Sequence, residues 1–267
     1  MIRIGSIVID QLSYPDNTLL MHLPEQLDNG LVIWNYENDA ELFTIICIRK
    51  HYKHLPLSLY LPYVPHARMD RVKAPTDVFT LKYFCEIIND LDFVAVYIED
   101  PHSNVSEALL DRVQVVSPQP HIETVIEKIA DENLVMCYPD EGAMKRYSGM
   151  VSKPYSFGVK RRNWADGKIE GLDLMHPEVV VGKNVLIVDD ICSRGGTFFH
   201  TAKALKDAGA KSVSLYVTHL EDTVTTGELA RTDDLIDHIY TTKSIFPECL
   251  FEDPYDPYWR KWITILK

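Results

Sequence analysis

The stretch Asn184-Val-Leu-Ile-Val-Asp-Asp-Ile-Cys-Ser-Arg-Gly-Gly-Thr197 constrains the fold more than any other. Its apolar run is continuous rather than alternating, the pattern of a strand buried on both faces of a parallel sheet. Two carboxylates follow, Asp189 and Asp190, then a short turn of Ser193, Arg194, Gly195, Gly196 and Thr197. Beyond it, Phe198, Ala202, Leu205 and Ala208 share one helical face, with Gly209 in the stop position. A glycine turn between a parallel strand and a helix brings backbone amides and the positive end of a helix dipole to the carboxyl edge of the sheet. Ligands bind at that edge, and anions suit that geometry. Thr197 can offer a hydroxyl to a phosphate, and the paired carboxylates can accept hydrogen bonds from sugar hydroxyls. The competing reading is a strand end with a glycine turn and an N-capping Asp. Neither a GxxxxGK[ST] phosphate loop nor a GxGxxG dinucleotide fingerprint occurs.

Apolar runs alternate with helical spacing along most of the 267 residues. Strands are expected at Thr44–Ile48, Ser58–Leu61, Phe93–Ile98, Leu134–Cys137, Val185–Val188 and through Val213, Leu215 and Val217. Leu81, Phe84, Cys85 and Ile88 predict a further helix. The pattern predicts an α/β protein of mostly parallel sheets flanked by helices. Pro and Gly cluster between 139 and 171, so two units are expected, 1–142 and 143–267.

With 39 acidic and 27 basic side chains the formal net charge is −12, a field that disfavours nucleic acid and anionic membrane as partners. A phosphate-bearing ligand then has to be held locally. No apolar run approaches the length of a membrane span, and no secretory signal pattern opens the chain. Cys47, Cys85, Cys137, Cys192 and Cys249 are scattered and odd in number, the usage of reduced thiols in a cytoplasmic protein.

Four more segments matter for chemistry: Leu61-Pro-Tyr-Val-Pro-His-Ala-Arg-Met-Asp-Arg71, Glu99-Asp-Pro-His-Ser103, Tyr138-Pro-Asp-Glu-Gly-Ala-Met-Lys-Arg146 and Phe157-Gly-Val-Lys-Arg-Arg162. Taken singly, Arg68 and Arg71 read as surface charges, His102 as a structural histidine and Lys160-Arg-Arg162 as a solvated basic turn. Together with the 184–197 stretch and in this order, over about residues 30 to 250, they resemble the ribose-phosphate diphosphokinase (PRPP synthetase) family of the phosphoribosyltransferase fold. Within that family the chain resembles a short, divergent, phage-type member.

The resemblance implies two phosphoribosyltransferase-like domains, with ATP on the first and the sugar phosphate on the second. It implies that Asn35, Glu37, Arg68, Asp70, Arg71 and His102 bind ATP. Asp140, Asp189, Asp190, Ser193, Arg194, Gly195, Gly196 and Thr197 would hold the sugar phosphate. Lys160 and Arg162, at the head of a flexible catalytic loop, would neutralise charge on the phosphoryl oxygens. Magnesium would be held through His102 and Asp140. The implied reaction moves the β,γ-diphosphate of ATP onto the 1-hydroxyl of ribose 5-phosphate, giving 5-phosphoribosyl 1-diphosphate and AMP. A homo-oligomer, dimer or hexamer, is expected, because the family's adenine-contacting element comes from an adjacent subunit.

The chain departs from the family pattern in places. Ser193-Arg194 replaces Asp-Thr, leaving the cradle about two charges more positive, unless Arg194 simply faces solvent. The adenine element reads Ile33-Trp-Asn35-Tyr-Glu37, where Trp34 rather than Phe would stack on the base. Met69 stands for Gln, and Leu220-Glu-Asp-Thr replaces the segment tied to phosphate and ADP control, so that regulation is expected to be weak or absent. Three other readings stay open: a larger acceptor such as ADP-ribose, nucleotide-salvage phosphoribosyl transfer, and a non-catalytic regulatory homologue.

Overall fold

The computed structural model describes residues 1–162, 169–231, 235–246 and 262–266, with side chains undescribed at 160–162, 169–170 and 231. The chain divides into two compact units, Met1–Ser117 and Pro118–Lys267. The division falls earlier than the expected 142/143. The strand at Val135–Tyr138 pairs with strands of the second sheet, Val135 opposite Val185 and Met136 opposite Tyr155, so it folds with the later residues.

The first unit contains β1 (Ile2–Ile4), β2 (Ile7–Ile9), β3 (Gln11–Ser13), β4 (Leu19–Met21), β5 (Leu31–Trp34), α1 (Glu41–His51), β6 (Ser58–Leu61), α2 (Thr80–Asp90), β7 (Val96–Glu99), α3 (Asn104–Leu109) and β8 (Val113–Val116). Its six-stranded sheet has the order β2-β1-β5-β6-β7-β8, with β5 to β8 parallel and β1 antiparallel to both its neighbours. The expected helix appears as α2, burying Leu81, Phe84, Cys85 and Ile88. They pack with Trp34, Leu59, Leu61 and Ile98 in one core, each large side chain contributing roughly 1.5–3 kcal/mol by leaving water.

Thr44–Ile48 was expected to be a strand and is the middle of α1. Its β-branched run favours extended backbone locally. The buried positions are Glu41, Thr44, Ile45 and Ile48, a three-and-four spacing that seats one helical face on the core. Arg49, Lys50 and His51 in the last turn suit the negative end of the helix dipole. Burial of that face outweighs the local preference.

The second unit contains α4 (Gln119–Ile129), β9 (Val135–Tyr138), α5 (Glu141–Tyr147), β10 (Tyr155–Arg162), β11 (Ile169–Met175), β12 (Asn184–Cys192), α6 (Gly196–Asp207), β13 (Ser212–Leu220), β14 (His238–Thr241) and β15 (Ile263–Ile265). The sheet order is β11-β10-β9-β12-β13-β14-β15, parallel except for the β10–β11 hairpin. Val185 and Ile187 join one core with Leu205 and Val217, while Leu186 and Val188 join another with Met136 and Tyr216. Alternate residues of β12 thus enter apolar cores on both faces of the sheet, as its continuous apolar run requires.

Candidate active site

β12 extends two residues past its carboxylates. Asp189 pairs with Val217, and Ile191 and Cys192 still pair with His219 and Leu220. Asp190 is almost fully buried, and its backbone N–H donates to Asp189 Oδ1 at 3.0 Å. Burial, then the charge of Asp190 and more weakly that of Asp140, hold the Asp189 carboxyl well above its ordinary pKa. The three carboxylates therefore share one electrostatic environment. Arg146, on α5, places Nη1 3.7 Å from Asp190 Oδ2 and supplies positive charge there. Sequence reasoning quoted Arg146 within a motif and gave it no role; its spacing in α5 from Asp140 was the available signal.

Asp140 is the N-cap of α5, its Oδ1 accepting from the backbone N–H groups of Gly142 and Ala143 at 3.0 and 3.1 Å. That satisfies two otherwise unpaired amides of the helix start. A structural role thus coexists with its proximity to Asp189.

The turn after β12 follows the expected design. Gly195 is the N-cap of α6 at φ 81°, a conformation that favours glycine. The N–H groups of Gly196, Thr197 and Phe198 open α6, where helix geometry gives them no intrahelical acceptor. Ser193 Oγ lies 3.0 Å from Thr223 Oγ1, and Arg194 is exposed. Residues 221–229 pack against this turn, and sequence reasoning gave them no place in it.

Lys160 and Arg162 lie on β10 rather than in a loop. Their backbones pair with Leu172 and Ile169 of β11, with an irregularity between Arg161 and Arg162. Their side chains, and residues 163–168 of the expected loop, lie outside the described residues.

In the first unit, Asp70 is buried and Arg71 grips it with Nε at 2.6 Å and a second guanidinium nitrogen at 2.9 Å. The Arg71 hydrogen bonds, with help from the charge of His102, lower the Asp70 pKa to about 2. The Leu61–Arg71 and Glu99–Ser103 segments therefore meet at Asp70. Arg68 and Arg71 are exposed and His102 is half-buried.

Trp34 does not fit the stacking role. It is fully buried, packs on Phe84 and donates from Nε1 to Glu41 Oε2 at 2.8 Å. Tyr36, whose ring lies 6.4 Å from that of Tyr63, is the more accessible aromatic beside Asn35 and Glu37. The Met1 amino group donates to the Asn35 carbonyl and to Glu37 Oε1. An open cavity of about 590 Å³ in this unit, lined by Tyr60, Tyr97 and Ser58 among others, contains none of the expected site residues.

Among the described residues, no three His, Cys, Asp or Glu side chains converge as a closed metal site. Magnesium carried on nucleotide phosphates keeps several waters and takes one or two protein ligands. Half-buried His102 and Asp140 have the donor chemistry for that sparse role. Among the described residues no helix is long and apolar enough to cross a membrane.

Residues 149–246 match the phosphoribosyl transferase domain. The chain is 24% identical over 231 residues to a ribose-phosphate pyrophosphokinase of Saccharolobus solfataricus, covering 82% of this chain and 78% of that one. Against the same enzyme of Thermococcus kodakarensis it is 31% identical over 195 residues, 71% and 66% of the two chains. The chain belongs to the ribose-phosphate pyrophosphokinase family. A solved phosphoribosylpyrophosphate synthetase from Mycobacterium smegmatis shares its fold, with a TM-score of 0.75, 18% identity, and 97% of this chain and 85% of that one covered. Both units thus belong to an architecture already seen in this family, with the glycine turn of α6 inside the matched domain.

Proposed function

We propose that this family member transfers the β,γ-diphosphate of magnesium–ATP to the 1-hydroxyl of ribose 5-phosphate. The sugar oxygen attacks the β-phosphorus, the bond from that phosphorus to the α-phosphate oxygen breaks, AMP leaves and the hydroxyl proton goes to solvent. The observation that carries the reading is the Asp140–Asp189–Asp190 cluster, countered by Arg146, beside the glycine turn that opens α6. Carboxylates for sugar hydroxyls and amides for a phosphate thereby stand on adjacent parts of one strand–turn–helix. The names of its relatives support the same reaction class.

In this reading Asp70, gripped by Arg71, orders the segment that grips the nucleotide, with Arg68 exposed beside it. Asn35 and Glu37 contribute to the nucleotide of an adjacent copy of the chain. Lys160 and Arg162 neutralise charge on the transferring group, since phosphoryl transfer depends on positioning and electrostatics more than on covalent help. His102 or Asp140 would supply a ligand to magnesium carried on ATP, which would screen the phosphate oxygens.

A second reading keeps the chemistry and enlarges the acceptor to ADP-ribose. The exposed Arg194 favours it, adding a positive charge to the turn that a larger, more negatively charged acceptor would meet. The test supplies magnesium–ATP with either ribose 5-phosphate or ADP-ribose and resolves AMP and the sugar product. AMP with ribose 5-phosphate supports the first reading, and AMP with ADP-ribose alone supports the second. Diphosphate release from 5-phosphoribosyl 1-diphosphate and a base, without ATP use, refutes both in favour of salvage transfer.

A further inference from the structure

Residues 221–229 form a strap over the sugar-phosphate turn, held by four separate contacts. Ser193 Oγ and Thr223 Oγ1 are 3.0 Å apart. The Glu228 N–H donates to the Arg194 carbonyl at 2.8 Å. Gly227 lies so close to the backbone of Arg194 that no side chain fits between them, and Leu229 presses on Gly195 in the same way. These contacts fix the backbone of Glu228, whose side chain is exposed. A Cβ on Gly196 would meet its Oε2 at 3.1 Å, so the carboxylate stands at the first residue of α6.

An anion is favoured at that point by the helix dipole and the opening amides. The strap therefore places a negative charge of the protein's own where the proposed function needs the negative charge of a substrate. A phosphate monoester is close to a dianion at neutral pH, whereas a phosphate within a diester or diphosphate bridge carries a single charge. The dianion is repelled more by a fixed carboxylate and has more to gain from its removal.

Resting on the proposed function for the identity of the site, we propose that Glu228 is a specificity-determining residue: it opposes a dianionic sugar phosphate monoester relative to a sugar whose phosphate is singly charged. Arg194 and Glu228 then act as a pair, and the charge added to the turn by Arg194 is offset by the strap above it. The strap persists without Glu228, because its anchors at Thr223, Gly227 and Leu229 involve other atoms.

The test is calorimetric binding of ribose 5-phosphate and of ADP-ribose to the full chain, for the wild type, Glu228→Gln and Glu228→Asp. Glu228→Gln should raise the ratio of ribose 5-phosphate to ADP-ribose affinity about tenfold, the scale of a charge at a helix N-terminus. Glu228→Asp keeps the charge and should stay near the wild-type ratio. An unchanged ratio in Glu228→Gln overturns the inference, as does an equal shift in both variants or no binding of either compound to any of the three proteins. AMP formation by the wild type is measured in parallel. Its absence with both acceptors, while the affinity ratio still shifts, sinks the proposed reaction and leaves Glu228 as the determinant of which sugar phosphate binds.

Discussion

Arg146 Nη1 stands 3.7 Å from Asp190 Oδ2, and the carboxylate it faces is itself almost fully buried. Burial, then the charge of Asp190 and more weakly that of Asp140, push the neighbouring Asp189 carboxyl well above its ordinary pKa. A site meant to accept sugar hydroxyls needs ionised acceptors, and a cation beside the cluster works against that upward shift by favouring the charged form. Arg146 also lies over the ring of its neighbour Tyr147, 5.8 Å from the centroid, which fixes the guanidinium within the helix surface.

Arg146→Gln should therefore cost both stability and activity. Leaving a buried carboxylate short of its ion-pair partner costs about 2 kcal/mol, and denaturant unfolding would read that loss. The KM for the sugar phosphate should rise more than that for ATP, because Arg146 belongs to the second unit with the sugar-phosphate turn. Equal rises in both KM values would show that Arg146 only holds the unit together.

Asp70 gives a pH signature. Its carboxyl falls from 3.8 to about 2 on folding, chiefly through the Arg71 hydrogen bonds. A folded pKa below the unfolded one means that the unfolded chain binds the proton first. The stabilisation is complete above about pH 3.8 and disappears as pH falls toward 2. Asp70→Asn should be less stable than the wild type at pH 7, with the difference closing below pH 3.8. A gap of constant size down to pH 2 would show that the Arg71 pair contributes nothing, since Arg71 itself is largely solvated.

The parts of this molecule that were legible in the sequence are those where local pattern and tertiary environment agree. The apolar run of β12 can only be satisfied by burial on both faces, and the spacing of Leu81, Phe84, Cys85 and Ile88 can only be satisfied by one helical face. Thr44–Ile48 misled because its composition favours a strand while its burial period is helical, and the period prevails. Trp34 misled for another reason: a motif position tells which residue stands near a ligand, not which way β5 turns it. Here the pleat sends Trp34 into the core toward Glu41. Glu228 and Thr223 were invisible because their contacts with the 193–196 turn cross about thirty residues of chain and depend on backbone atoms.

Gly195→Ala should weaken the sugar-phosphate turn. The residue needs φ near 81°, and a methyl group there would drive into Leu229. The left-handed conformation alone costs a non-glycine residue about 1–2 kcal/mol, to which displacement of Leu229 adds. Thermal unfolding should shift downward, and the KM for the acceptor should rise in the remaining folded protein. An unaltered acceptor KM would mean that the turn does not touch the acceptor.

Lys160 lies on a strand paired through Leu172, so its removal leaves the backbone ladder intact. Lys160→Ala should preserve the unfolding temperature while lowering the AMP-forming rate by about 10²–10³, the scale of removing one stabiliser of transition-state charge. A Lys160→Ala protein that turns over at the wild-type rate would exclude the assigned role, and the basic run of β10 would then be a solvated strand.

Asp140 separates a structural from a chemical role most cleanly. Its Oδ1 caps α5 through Gly142 and Ala143, and its charge is felt at Asp189. Asn caps a helix as well as Asp does, whereas Ala does not, at a cost of about 1 kcal/mol. Asp140→Asn should thus hold the stability of the wild type while losing activity, and its magnesium dependence should shift to higher concentration. Asp140→Ala should lose both stability and activity. If Asp140→Asn instead retains full turnover at unaltered magnesium, the carboxylate serves α5 alone, and the charge presented to the sugar phosphate and its metal comes from Asp189 and Asp190.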